Sequence, residues 1–161
     1  MGELIVLLES ASIEMVADVR RFPGSRRNPQ FSQPNFSESL ELAGIDYLAL
    51  PELGGRRRPR ADSPHTAWRN ASFRGYADYM NTDAFRQGAD RVIALAGHQR
   101  TALMCAEAVW WRCHRALIAD YLKVRGHAVV HLLSPVRHDA HPYTSAASIV
   151  NDRLSYAAGT D

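Results

Sequence analysis

Four short apolar runs, separated by helix-patterned or proline-rich stretches, constrain the fold of this 161-residue chain more than any other feature. They lie at residues 14–20, 45–50, 101–106 and 128–133, and each has the length of a buried strand. Helical spacing predicts helices over residues 2–10, 37–43 and 73–96, and another from Arg112 to Gly126. Asn35 or Ser37 is the expected cap of the second. The third should break near Asn81, where Thr82 or Asp83 caps a new start. Strands alternating with helices imply parallel βαβ units. The expected fold is therefore α/β: one open, mostly parallel sheet with helices on both faces, a Rossmann-like three-layer arrangement. Residues 1–133 should form this single domain, with Arg/Pro-rich loops at 21–35 and 54–70, the second the more mobile. Residues 134–161 read as a polar tail with one short helix at 146–154.

Composition excludes several classes. An apolar share of 46% and a charged share of 22% are those of a globular protein rather than a disordered chain. The longest apolar runs are about six residues, against the roughly 18 of a membrane span. The N-terminus has no basic leader region, and Val6 stands where a myristoylation signal needs Ser or Thr. Two cysteines, Cys105 and Cys113, are too few for a disulfide scaffold. Free thiols in a reducing cytoplasm are the expectation, with no membrane partner.

The charge is unusual in kind. Of 19 basic residues, only Lys123 is a lysine. Ten arginines fall between Arg20 and Arg74 against five acids, so that segment carries +5 within a net charge of +2. Arginine's planar fork suits phosphate or carboxylate recognition better than lysine's point charge. Interleaving with Phe22, Phe31, Phe36, Trp68 and Phe73 also suits base stacking along a nucleic acid. The plainer alternative is a solvated loop whose arginines pair with Asp18, Glu52 and Glu107.

In an open parallel sheet, ligands bind beyond the carboxyl ends of the strands. Here those ends carry Asp18, Arg20 and Arg21, then Glu52, then Cys105 and Glu107 followed by Trp110, Trp111, Arg112, Cys113, His114 and Arg115. A helix start near Arg112 would favour an anion and, with Arg112 or Arg115, a thiolate at Cys105. The layout resembles the strand–loop–helix of cysteine phosphatases and sulfurtransferases. Six residues without a glycine separate Cys105 from Arg112, however, which argues against a tight phosphate cradle. Cys105 reads as a reactive thiol or as a small core residue. Cys113, four residues before Leu117, reads first as inert core. His114 is a general acid, a metal ligand or a structural residue, and Glu107 a reactive carboxylate or an arginine partner. Asp18 orients an arginine or serves as a base, and one of Trp110 and Trp111 forms a stacking wall. Cys105, Cys113 and His114 fall short of a structural zinc set, and neighbours on a helix point about 100° apart. No metal or cofactor is expected.

The runs DVRRFPGSRRNPQF at 18–31, LPELGG at 50–55, FRGYADYM at 73–80 and CAEAVWWRCHR at 105–115 resemble the bacterial and archaeal domain-of-unknown-function family 488. So do HPYT at 141–144 and LSY at 154–156. The resemblance implies a single cytoplasmic α/β domain and no established reaction. It also implies a strand and a Gly-His-Ser turn ahead of the first helix, which this chain lacks, leaving a sheet edge open for pairing; monomer and homodimer are both expected states.

Together these readings point to an anion-binding domain acting on a phosphate-bearing substrate, a nucleotide or nucleic acid. Arg20, Arg21, Arg112 and Arg115 would hold the anion, Cys105 or Glu107 would react, and His114 would donate the proton. The competing reading is a non-catalytic nucleic-acid-binding module, and a partner scaffold is third.

Overall fold

The structure is a computed structural model that describes residues 1–21, 29–107 and 109–158. Residues 22–28, with Phe22, Arg26 and Arg27 of the basic segment, lie outside it.

Three of the four apolar runs form one parallel sheet. β1 (Met15–Asp18) lies between β2 (Asp46–Ala49) and β3 (Thr101–Met104), with Met15 opposite both Asp46 and Thr101. The pleat sends alternate side chains to opposite faces. Val16, Tyr47, Ala102 and Met104 meet α1 (Gly2–Ser10) and α2 (Gln33–Leu42) in one apolar cluster. Ala17, Leu48 and Leu103 meet α3 (Ala71–Tyr79), α4 (Asp83–Ala96) and α5 (Arg115–Val124) in the other. Apolar residues of helices therefore pack against strand residues in both clusters.

Local signals explain most boundaries. Thr82 caps α4 by accepting from the Phe85 N–H, and Asn70 caps α3 by accepting from Ser72 and Phe73. The second helix starts earlier than periodicity indicates. Pro34 sits in its first turn, where a missing N–H costs nothing, and its N-cap is Ser32 instead of Asn35 or Ser37. The last helix starts later, at Arg115, behind a 3-10 turn at Trp110–Arg112.

The fourth run departs from expectation. β4 (Val130–Ser134) pairs antiparallel with β5 (Arg137–Ala140) and does not join the parallel sheet, so among the described residues that sheet has three strands. A tight turn at Pro135-Val136 returns the chain at once, which a crossover to a parallel partner would not allow. Residues 146–154 are not helical either: β6 (Ser148–Val150) and β7 (Arg153–Ser155) form a hairpin. Asn151 and Asp152 turn it at positive φ, 52° and 61°, the conformation of a type I′ turn.

This C-terminal segment is built into the core. Ala146 and Tyr156 are buried with the α3–α5 cluster, and His141 is 2% exposed. The 54–70 loop is fastened as well: Ala67 N–H donates to the Tyr156 carbonyl, Arg60 N–H to Asp78, and the Arg57 guanidinium lies 3.7 Å over the Tyr79 ring. Among the described residues, no helix is long and apolar enough to cross a membrane.

Candidate functional site

The parallel strands bring their carboxyl ends to one edge, and the residues there line part of a groove of about 1330 Å³ that is also lined by α1, α4, α5 and the whole of β3. Arg20, Arg21, Cys105 and Glu107 line it from the strand ends, and Arg112, Cys113, His114 and Arg115 from the start of α5. Asp18 and Glu52 do not.

The late start of α5 decides the chemistry. Cys113 is in extended backbone (φ −129°, ψ 150°) and His114 is the N-cap, so their side chains reach one point instead of diverging along a helix. Cys113 Sγ accepts from Arg115 Nε at 3.3 Å and from the Arg115 backbone N–H at 3.4 Å. His114 Nδ1 lies 3.5 Å from the same sulfur, and Nε2 lies 3.0 Å from the Val19 carbonyl. A carbonyl only accepts, so Nε2 carries a proton and Nδ1 is aimed at the thiol as its proton acceptor. Thiol, imidazole and carbonyl thus stand in hydrogen-bonded sequence.

The second thiol completes the centre. Cys105 is half-buried, its sulfur lies within 4.8 Å of Cys113 Sγ, and it accepts the Glu107 N–H at 3.3 Å. Hydrogen bonding from Cys105, helped by His114 and Arg115 against the upward push of burial, holds the Cys113 thiol far below its ordinary range. Cys105 moves the other way, through that same hydrogen bond and then through burial. Cys113 receives two Arg115 donors against the single Glu107 N–H at Cys105, so negative charge is better held on Cys113.

The other strand-end residues sort by their partners. Arg20 is 7% exposed and locked to Asp18 by Nε at 2.9 Å and Nη2 at 2.6 Å, while Nη1 donates to the Phe31 carbonyl at 2.7 Å. Burial opposes the guanidinium's charge, but Asp18 outweighs it and raises the Arg20 pKa. Asp18, fully buried, also accepts from Tyr47, whose pKa burial and Asp18 both raise. The pair is an internal ion bridge closing the end of β1. Glu107 contributes backbone: its carbonyl accepts Arg115 Nη2 at 2.6 Å. Arg112 is exposed at the rim, and exposed Arg21 donates to the Arg56 carbonyl at 2.8 Å. Glu52 turns away to Arg91 on α4.

The glycines of LPELGG have a local reason. A Cβ on Gly54 would stand 2.4 Å from Arg21 Cα, and one on Gly55 would stand 2.8 Å from His114 Nδ1. Only glycine lets that loop close over the end of β1 and the His114 ring.

Three residues not singled out as site residues in the sequence run from the groove wall into the core. Asp120 is fully buried on α5 and bonds His141, which bonds His131, a groove-lining residue. Trp110 stacks on His131 at 4.2 Å with 4° between planes, and Trp111 stays 53% exposed. The readable signal was Asp120 itself, a charge four residues after Ala116 on the inward face of an apolar helix.

Cys105, Cys113 and His114 place their donor atoms within 4.8 Å of one another. That is three soft donors, one short of a structural zinc set, and the Arg115 guanidinium already occupies a face of the Cys113 sulfur.

No curated protein and no solved structure matches the chain. A family model, Domain of unknown function DUF488, matches residues 1–122. Because that match takes in more than half of the chain and contains the whole Cys105–Arg115 centre, the protein belongs to the DUF488 family.

Proposed function

We propose that the protein is a thiol enzyme acting on a phosphate-bearing substrate, a nucleotide or nucleic acid, in the strand-end groove. The observation that carries this reading is the Cys113 sulfur, which faces the Arg115 guanidinium, the first backbone N–H of α5 and the His114 imidazole at 3.3–3.5 Å. Helix N-terminus, cation and base all favour a thiolate. Cys113 is then the nucleophile, His114 holds and returns its proton, and Cys105 keeps its own proton beside it. Arg112 and Arg21 at the rim, with Arg115 inside, supply anion contacts. Arg20 acts at one remove, by fixing the end of β1. The sheet itself we read as a Rossmann-like three-layer design; its parallel β2-β1-β3 pairing with an apolar cluster on each face supports that. Two free thiols in one groove fit a reducing cytoplasm.

Protection mapping tests the proposal. Iodoacetamide should label Cys113 in the full chain, and pyrophosphate or ATP should slow labelling. Equal labelling of both cysteines, unaffected by either anion, would reject it.

A second reading has its own support. Arg56, Arg57, Arg58 and Arg60 surround a shallow depression beside Arg21, which suits a nucleic-acid backbone. A non-catalytic module would show salt-dependent nucleic-acid affinity that survives loss of Cys113.

A further inference from the structure

We infer that His131 is a second proton acceptor of the groove, presenting Nδ1 as a bare lone pair because the buried Asp120–His141 pair fixes its tautomer. Asp120 is the buried end of this chain of bonds. Its carboxylate accepts from the Thr144 N–H at 3.0 Å, Thr144 Oγ1 at 2.6 Å, the Tyr156 hydroxyl at 2.7 Å and His141 Nε2 at 2.8 Å. His141 therefore donates from Nε2 and, as the neutral imidazole, accepts at Nδ1. His131 Nε2 lies 2.7 Å from that Nδ1 and so carries the proton of the bond. Its own Nδ1 is left without one.

The ring is also held. Trp110 stacks flat against His131, and the His141 ring meets it edge-on at 4.9 Å. The charged and titratable groups acting on it are His141, Arg115 and Asp139. Burial, then His141 and Arg115, lower its pKa to about 4, against a weaker upward pull from Asp139. His131 accordingly stays neutral, a base rather than a cation, near neutral pH.

The groove gains a division of labour, which rests on the thiol reading above. His114 serves the Cys113 proton. His131 serves the water that releases a cysteine-bound intermediate: Nδ1 takes a proton from water, and the water oxygen bonds to the electrophilic carbon or phosphorus. The bond to sulfur breaks, its electron pair returning to Cys113, and the proton leaves His131 for solvent.

Two measurements on the full chain test this. Long-range 1H–15N NMR of the wild type should show His131 protonated at Nε2 and bare at Nδ1 across neutral pH; the opposite tautomer, or an imidazolium, would overturn the inference. With p-nitrophenyl acetate as probe, Cys113 should be acylated in a burst and then hydrolysed slowly. His131→Gln should leave the burst intact and slow the steady state roughly 10²-fold or more. An unchanged steady state would overturn the assignment. Absence of a burst from the wild type would remove the thiol reading and the hydrolytic step together, while the NMR still reports the tautomer independently.

Discussion

Replacing Asp18 with Asn should be among the most damaging single changes in the protein, although Asn has nearly the same shape. Asp18 is fully buried and Arg20 is 7% exposed, and the pair is joined through Nε, Nη2 and the Arg20 backbone N–H at 3.1 Å. Asn removes the negative charge and turns an NH2 group toward a guanidinium that has no acceptor to spare. Removing one partner of a buried ion pair costs about 3–5 kcal/mol, because the other charge is left without compensation. At this chain length that is a fall in Tm of roughly 10 °C. The damage should reach the site, since Val19, next in sequence, holds His114 Nε2 through its carbonyl. Urea unfolding of Asp18→Asn, Arg20→Met and the double variant is the assay. The double variant should lose clearly less than the sum of the singles, since no lone charge remains. A cost below about 1 kcal/mol for Asp18→Asn, or simple additivity, would refute the account of the β1 end.

Other perturbations follow from the same geometry. Gly55→Ala should drive a methyl into the His114 ring and slow Cys113 alkylation by about tenfold or more at near-native stability, read by mass-mapped labelling. Tyr156→Phe should cost about 1–3 kcal/mol in urea, because its hydroxyl is a donor to buried Asp120. Acid should destabilise the fold through His131. Its folded pKa of about 4 lies below the unfolded 6.5, so its contribution is complete above about pH 6.5 and is lost as pH falls toward about 4. Discounted for a partly exposed ring, that is about 1–2 kcal/mol, absent in His131→Gln. If the arginine depression binds nucleic acid, log affinity should fall steeply with log salt, and Arg57→Ala with Arg58→Ala should flatten the slope.

What the sequence disclosed depended on how local its signal was. Residues 14–20, 45–50 and 101–106 are short, apolar and strand-like, and they form the parallel sheet. Thr82 was readable as a cap because the cap contact spans three residues. Residues 128–133 looked the same but turn back at Pro135, and pairing direction depends on the return path rather than on the run. Asn151-Asp152 carried a hairpin signal that the helix-like spacing of Ala146, Ala147 and Val150 masked. The strand-end groove was legible as a place: Cys105, Cys113, His114 and Arg115 all reach it. Which sulfur receives the donors turned on a three-residue shift in where α5 begins, finer than periodicity resolves. Asp120, His141 and His131 lie 10 and 21 residues apart along the chain and meet only through the C-terminal hairpins.

The most direct test of the thiol centre is the ultraviolet thiolate titration of the wild type against Cys113→Ser and Cys105→Ser. The account predicts one thiolate already present well below neutral pH, lost with Cys113→Ser, and a second thiol that resists ionisation above the ordinary range. In Cys105→Ser the remaining thiolate should persist, since Arg115 and His114 still face Cys113. Two thiols titrating together near about 8.5 would contradict the central claim.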